Sequence, residues 1–145
     1  FKISSQGMTA QRERLESASA NLANANTTRT PAGGPYRRRD VLFEATPIED
    51  SSETFISAFD NSRSRDLPEG VQVTTRTAGV DEIIKRYQPG HPDANADGYI
   101  ALPDVDPLEE TVNILSAARA FEANATAFNT AKELARASLR LGEGG

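Results

Sequence analysis

The chain has 145 residues but no cysteine, no tryptophan, one methionine and a single histidine, His91. Without cysteine it forms no disulfide and no thiolate metal site. The lone histidine stands between Gly90 and Pro92. Neither a zinc site with several histidines nor a Cys/His catalytic pair is therefore available. We predict a protein that is not an enzyme and that carries no cofactor.

Long apolar runs and an excess of positive charge are also lacking. No segment approaches the roughly 20 apolar residues that span a bilayer. The net charge is −5, whereas a surface that binds phosphate groups is normally basic. The basic run 37–39 has no interleaved aromatic residues, and an exposed strand edge explains it more simply than nucleic acid does. We predict neither a membrane-embedded role nor nucleic-acid binding.

Apolar residues are spaced regularly at the two ends of the chain. The first stripe alternates steps of three and four residues, as a coiled-coil seam requires, once Gln11 is counted in it. It predicts a helix over residues 1 to about 28, ended by the prolines and glycines of 30–35. The apolar members of this stripe are Met8, Leu15, Ala18, Leu22 and Ala25.

The second stripe predicts a longer helix from about 105 to 141. A further row of Leu108, Val112 and Leu115 makes more than one face of this helix apolar, so we expect at least two neighbouring helices. At about 1.5 Å per residue, the two helices would be roughly 40 and 54 Å long and would project as a stalk. The second stripe consists of Ile114, Ala118, Phe121, Ala125, Phe128, Ala135 and Leu139.

The two stripes are rich in alanine, and asparagines recur along both helices. Alanine removes little apolar area from water, so at about 25 cal/mol per Å² such a pair gains little by itself. Asparagine is costly to bury without a partner but good at fixing register. These features favour a helix pair that completes its core in an assembly. An ordinary antiparallel helix pair is the alternative.

The middle of the chain has the two-residue alternation of strands. We predict a strand over 36–44, a second over 70–77, and over 80–87 a partner of the second across a turn at 78–79. A helical turn at 83–84 is the alternative for the third segment. The polar stretch 46–69 is predicted to be a long loop.

These elements together predict an α+β fold. Two long terminal helices pack as a coiled-coil stalk, and a small β-rich domain is inserted between them. The predicted divisions are 1–30 and 105–145 for a discontinuous core domain and 31–104 for the insertion. The chain starts inside the first predicted helix without a methionine, so we expect further residues before Phe1.

One short motif suggests a cation. Asp93, Asn95 and Asp97 stand at positions 1, 3 and 5 of an EF-hand-like loop, with glycine at position 6. Position 12 is Asp104 instead of the longer glutamate, and the prolines of 88–92 prevent an incoming helix. A surface turn explains the same residues. The three oxygen-bearing side chains are therefore weak metal candidates.

Several motifs resemble the bacterial flagellar rod and hook subunits, in the form typical of a subunit of the proximal rod. The resemblance covers nearly the whole chain except 46–69. It departs from the family at Asp104, where asparagine is usual, and in the glycine-rich tail 142–145. The motifs are SASANLANANTT at 17–28, GGPYRR at 33–38, YQPGHPDA at 87–94 with DGY at 97–99, LPDV at 102–105, and SAARAFEAN at 116–124 with FN at 128–129.

The resemblance implies a structural subunit that is exported unfolded by the flagellar type III apparatus and polymerises in the periplasm. It would join the axial rod that transmits motor torque, with its terminal helices in the inner core of the tube. The implied partners are other copies of the chain in a helical assembly, other rod subunits including FlgB, the inner-membrane ring and the export apparatus. The alternatives are another rod or hook-type axial subunit, a coiled-coil adaptor that forms no filament, and a calcium-binding module.

Under this hypothesis specific side chains acquire roles between subunits. The predicted packing residues are Leu15, Ala18, Leu22, Ala25, Ile114, Ala118, Phe121, Ala125 and Phe128, and the predicted register-setting residues are Asn21, Asn24 and Asn124.

Overall fold

A computed structural model describes residues 2–47, 69–79 and 82–142. The predicted α+β class is confirmed, with two terminal helices and a small β region of two hairpins between them. Residues 48–68 of the predicted polar loop lie outside the described part. The elements in chain order are α1 (Lys2–Ala23), β1 (Arg39–Pro47), β2 (Glu69–Thr77), β3 (Ile83–Tyr87), β4 (Tyr99–Pro103) and α2 (Pro107–Gly142).

The two helices pack side by side and antiparallel. Arg14 of α1 reaches Asn113 near the start of α2, whereas Gly7 lies against Asn124, farther along α2. A Cβ atom on Gly7 would come within 3.1 Å of the Asn124 amide, so the absence of a side chain at Gly7 lets the helices approach closely at this point. Three alanines of the two helices, Ala10, Ala18 and Ala117, are buried.

The first helix is shorter than predicted because its end is set by an asparagine. Asn24 Nδ2 donates a hydrogen bond to the Ala20 carbonyl at 2.8 Å, and the Thr27 N–H bonds to the Asn24 carbonyl at 3.0 Å. Asparagine side chains compete with the helical backbone in this way and favour turns. The 22 residues of α1 give a length of about 33 Å.

The second helix has the predicted length and a clear start. Pro107 occupies the first helical position, where a missing N–H costs nothing. Asp106 precedes it and accepts a hydrogen bond from the Leu108 N–H at 2.8 Å, as an N-cap does. The 36 residues of α2 span about 54 Å. Among the described residues, neither helix is long and apolar enough to cross a membrane.

β1 and β2 form an antiparallel hairpin that contacts α1. Their register runs from Arg39 opposite Thr77 to Pro47 opposite Glu69. The first strand begins three residues later than predicted. Gly70 of β2 sits directly against the Gln6 side chain, which leaves no room for a Cβ atom. The hairpin therefore lies against α1 at its Gly70 end and is anchored near the end of α1 by Arg39.

The predicted partner of β2 was wrong. The segment expected to pair with it is β3, which instead pairs antiparallel with β4, with Tyr87 opposite Tyr99. The chain does not turn back after β2, because the Ala78 N–H bonds to the Arg38 carbonyl at 2.8 Å and continues the ladder with β1. The sequence analysis did not predict β4, because this short strand directly follows the turn-forming residues of 93–98.

The second hairpin packs against the connection after α1. Thr28 donates a hydrogen bond to Asp93 at 2.7 Å across the two segments. The Tyr87 and Tyr99 rings meet edge to face at 5.2 Å, a favoured arrangement for aromatic pairs. The buried apolar residues of this region are Ala25, Ile100, Leu102 and Val105.

The close approach at Gly7 gives a testable expectation. We expect Gly7→Val to lower the free energy of unfolding by about 1–3 kcal/mol, as overpacking of a tight contact does. The better helix propensity of valine than of glycine offsets part of the overpacking, and the expected loss already includes it. Arg12→Val, at an exposed site of the same helix, should change stability much less. Equal stability of the Gly7 variant and the parent chain in a denaturant titration would contradict the tight contact.

Candidate functional site

A buried asparagine joins three elements of the fold. Asn21, in the last turn of α1, is only 1% exposed. Its Oδ1 accepts hydrogen bonds from the Arg39 N–H at 2.8 Å and from the Tyr36 hydroxyl at 3.0 Å. Its Nδ2 donates to the Arg39 carbonyl at 2.9 Å and to Glu110 Oε1 at 3.3 Å. One amide group thus holds α1 to the start of β1 and to the first turn of α2.

The acceptor on α2 is a buried acid with a cation beside it. Glu110 is 2% exposed, and Arg38 Nε lies 3.1 Å from its Oε1. The Arg38 N–H does not point along that line, so the contact is charge attraction more than an aligned hydrogen bond. Arg38 also pairs with Asp40 at 3.3 Å and with the exposed Glu109 at 3.1 Å. We call Asn21, Arg38 and Glu110 the polar joint.

Two opposing effects act on the Glu110 carboxyl. Burial raises its pKa, while the Arg38 charge and the hydrogen bond from Asn21 lower it. Burial is the largest effect, and the nearby Glu109 and Asp40 charges act in the same direction, so the pKa of Glu110 lies above its ordinary value. An ionised carboxylate at this site depends on Arg38 and Asn21 for compensation, since a buried charge without partners is costly.

Sequence reasoning missed two members of this joint. A glutamate in the first turn of a helix usually faces solvent and complements the helix dipole, so Glu110 carried no special signal. Arg38 was assigned to an exposed strand edge as part of a basic run. Asn21 was singled out, but as a residue that sets register between subunits. The available signal was the recurrence of asparagine near the end of an alanine-rich helix.

The three predicted register residues all make contacts inside their own chain. Asn21 belongs to the polar joint, and Asn24 closes the end of α1. Asn124 donates to the Ala120 carbonyl at 3.0 Å, and its amide lies against Gly7. Their role between subunits stays a prediction.

The predicted packing residues fall into two groups. Ala18 and Ala25 are buried within the chain, so their surface is already used. The others keep accessible surface along the helix pair. Phe121 is exposed, and the half-buried members are Leu15, Leu22, Ile114, Ala118, Ala125 and Phe128.

The further row on α2 is the most exposed apolar feature of its first half. Leu108, Val112 and Leu115, here called the apolar row, are 73%, 58% and 55% exposed. They follow the i, i+4, i+7 spacing of a single helix face. Glu110 and Ala117 of the same helix are buried. Each is two residues from a member of the row, about 200° around the helix, so the row faces away from α1.

The calcium-like segment forms a closed turn between β3 and β4. Asn95 Oδ1 accepts hydrogen bonds from the backbone N–H groups of Asp97 at 3.0 Å and Tyr99 at 2.8 Å. Asp93 accepts from Thr28, and Gly98 has a φ of +81°, which favours glycine. Within the described ranges, no group of three or more acidic or histidine side chains is arranged to hold a metal ion.

Comparison with known proteins places both terminal segments in flagellar families. The family described as flagella basal body rod protein matches residues 1–29, and that described as flagellar basal body rod FlgEFG protein C-terminal matches residues 96–141. The flagellar basal-body rod protein FlgC of Borreliella burgdorferi is 38% identical over 99% of this chain and 96% of its own length. The FlgC proteins of Bacillus subtilis and Escherichia coli O157:H7 are 37% and 34% identical, with the same coverage.

The burial of Glu110 predicts how the stability of the folded chain changes with pH. Because burial raises the pKa of Glu110 above 4.5, the folded chain binds this proton more tightly than the unfolded chain does. The resulting stabilisation is complete below the unfolded pKa and is lost as pH rises through the folded pKa. We expect the free energy of unfolding of the parent chain, minus that of Glu110→Gln, to fall as pH rises above the ordinary pKa of a glutamate.

Denaturant titrations of both chains at pH values below and above that pKa would measure the difference. Arg38, Asp40 and Glu109 surround the site in both chains, so the two chains differ only in the group at position 110. A difference that grows with pH would show that attraction to Arg38 outweighs burial.

Proposed function

This chain belongs to the FlgC family of flagellar basal-body rod proteins, and from that membership we propose how it is built into the rod. It is a structural subunit of the proximal rod of the flagellar basal body and assembles with other rod components. We propose that the terminal segments 1–30 and 105–145 form one core domain that makes the subunit contacts. Residues 31–104 then form an inserted domain outside that core.

The observation that carries this proposal is the apolar row on α2. Single exposed apolar residues are ordinary, but a contiguous row on one helix face marks an interaction surface. Fully burying each aliphatic side chain stabilises by about 1.5–3 kcal/mol relative to exposure. More than half of that gain is still available at Leu108, Val112 and Leu115, given their exposure. Contact with a neighbouring subunit would bury these side chains and provide this stabilisation.

A second surface lies along the groove between the two helices. Gln6 and Glu13 of α1 border the β1–β2 hairpin. Leu15 and Leu22 each follow one of them by nine residues, half a rotation around the helix, so they lie on the side away from the hairpin. We propose that these leucines, with Ile114 and Phe121 of α2, contact another rod subunit. The remaining members of this surface are Ala118, Ala125 and Phe128.

Two observations support assembly over a free-standing adaptor. The contact between α1 and α2 is filled mainly by alanines, which gives each chain a small apolar gain of its own. The relatives that match nearly the full length are rod proteins. We also propose that Asn21, Asn24 and Asn124 affect register indirectly, by fixing the helices that carry the contact residues.

The export route, location and neighbours of the subunit are proposed from the same family membership. We propose export by the flagellar type III apparatus, a periplasmic position in the rod, and a role in transmitting motor torque. The proposed neighbours are further copies of the chain, FlgB and other axial proteins, and the inner-membrane ring. We propose no catalytic role and no bound cofactor, since the relatives are structural rod proteins.

A double substitution in the apolar row tests the proposed interface. We expect Val112→Asp with Leu115→Asp to abolish swimming and rod assembly, because two carboxylates would have to be buried between subunits. The readouts are motility in soft agar and the presence of rods in purified basal bodies.

The matched control carries two aspartates at exposed positions on another side of the same helix, Ala127→Asp with Ser138→Asp. Its helix content by circular dichroism should equal that of the test variant, and its cells should swim. Cells with the apolar-row variant that swim as well as the parent would rule out this surface as a subunit contact.

A further inference from the structure

We infer that the polar joint couples the placement of the β1–β2 hairpin to the docking of the two terminal helices. The hairpin keeps its observed position while α2 supplies Glu110 to Asn21 and Arg38, and it is released when α2 is not docked. The joint lies within one chain, so this inference is independent of which surface contacts the neighbouring subunit.

The geometry closes a triangle among three elements. Asn21 connects α1 to α2 through Glu110 at 3.3 Å. Asn21 also connects α1 to β1 through two hydrogen bonds with the backbone of Arg39. Arg38, directly before β1, connects the hairpin to α2 through Glu110 at 3.1 Å. Each element is therefore tied to both of the others at one point.

The burial of the joint makes these contacts interdependent. Asn21 and Glu110 are almost completely buried, and a buried polar group that loses its partner is destabilising, more so if it is charged. If α2 moved away, Asn21 would lose one of its partners and Arg38 its buried one. Asn21 and Arg38 would then replace the lost partners with water, so water would enter at the point where β1 leaves α1.

Glu110 has this effect whereas its neighbour Glu109 does not. The Glu109 side chain is more than half exposed, and exposed ion pairs contribute little to stability. Asp40 pairs with Arg38 as well, but it belongs to the hairpin itself. Asp40 therefore satisfies the charge of Arg38 without holding the hairpin to the helices. The buried link between Arg38 and the helices is therefore the one to Glu110.

The apolar side chains of the hairpin are only partly covered. Val41, Val71 and Val73 are only half-buried, and Leu42 and Phe43 remain exposed. A two-stranded hairpin is marginally stable alone in water. Loss of the joint should therefore both release the hairpin and loosen its strand pairing.

Hydrogen–deuterium exchange on purified basal bodies tests this coupling in the assembled protein. Cells whose only copy of the subunit carries Glu110→Ala provide the sample, and Glu109→Ala provides the matched control. In the Glu110 variant we expect peptides from β1 and β2 to exchange at least tenfold faster, while peptides from 8–16 of α1 keep the parental rate. The Glu109 variant should match the parent throughout.

Two results would overturn the inference. The first is parental exchange of β1 and β2 in Glu110→Ala. The second is an equal acceleration of α1, α2 and the hairpin, which would indicate general loosening. If Glu110→Ala yields no rods, Glu110→Gln is compared with Glu109→Gln. It keeps an acceptor for Asn21 but no charge for Arg38, so we expect a smaller acceleration confined to the hairpin, and parental exchange would again refute the coupling.

Discussion

The hydrogen bond between Asn21 and Glu110 is the contact on which the arrangement of this chain depends. It joins residues from the two ends of the sequence, and the same asparagine fixes the start of β1. Both side chains are excluded from water, so neither keeps its hydrogen bonds unless the helices and the hairpin are placed together. A polar contact, and not a large apolar core, therefore sets the relative positions of the elements.

The apolar contacts of the fold are consistent with this dependence on a polar contact. Gly7, Ala10, Ala18 and Ala117 let α1 and α2 approach closely but remove little apolar area from water. The larger apolar side chains, such as Val112 and Leu115, remain outside the helix contact. A rod subunit benefits from this distribution, because the side chains with the most to gain from burial are available to neighbours.

Much of the fold was readable from local patterns. The spacing of apolar residues predicted both helices, the alternation over 70–77 predicted β2, and the resemblance of several motifs predicted the rod family, which the relatives confirm. Pairing of the strands was not readable. The Ala78–Gly79 turn suggested a hairpin between neighbours in sequence, whereas β2 pairs with β1 across the 48–68 segment. Strand partners are chosen by contacts far apart in the chain, which local turn signals do not encode.

The helices, the α+β class and the family follow from the sequence alone, because periodicity and motif order are properties of consecutive residues. The tertiary structure alone decided the role of Asn21, the burial of Glu110 and the pairing of Arg38 with it. These three side chains come from segments that the sequence separates. Arg38 and Glu110 each look like an ordinary surface residue, and Asn21 indicates a contact without naming its partners. Their chemistry arises when folding removes water from between them, since burial makes a hydrogen bond or a charge pair obligatory.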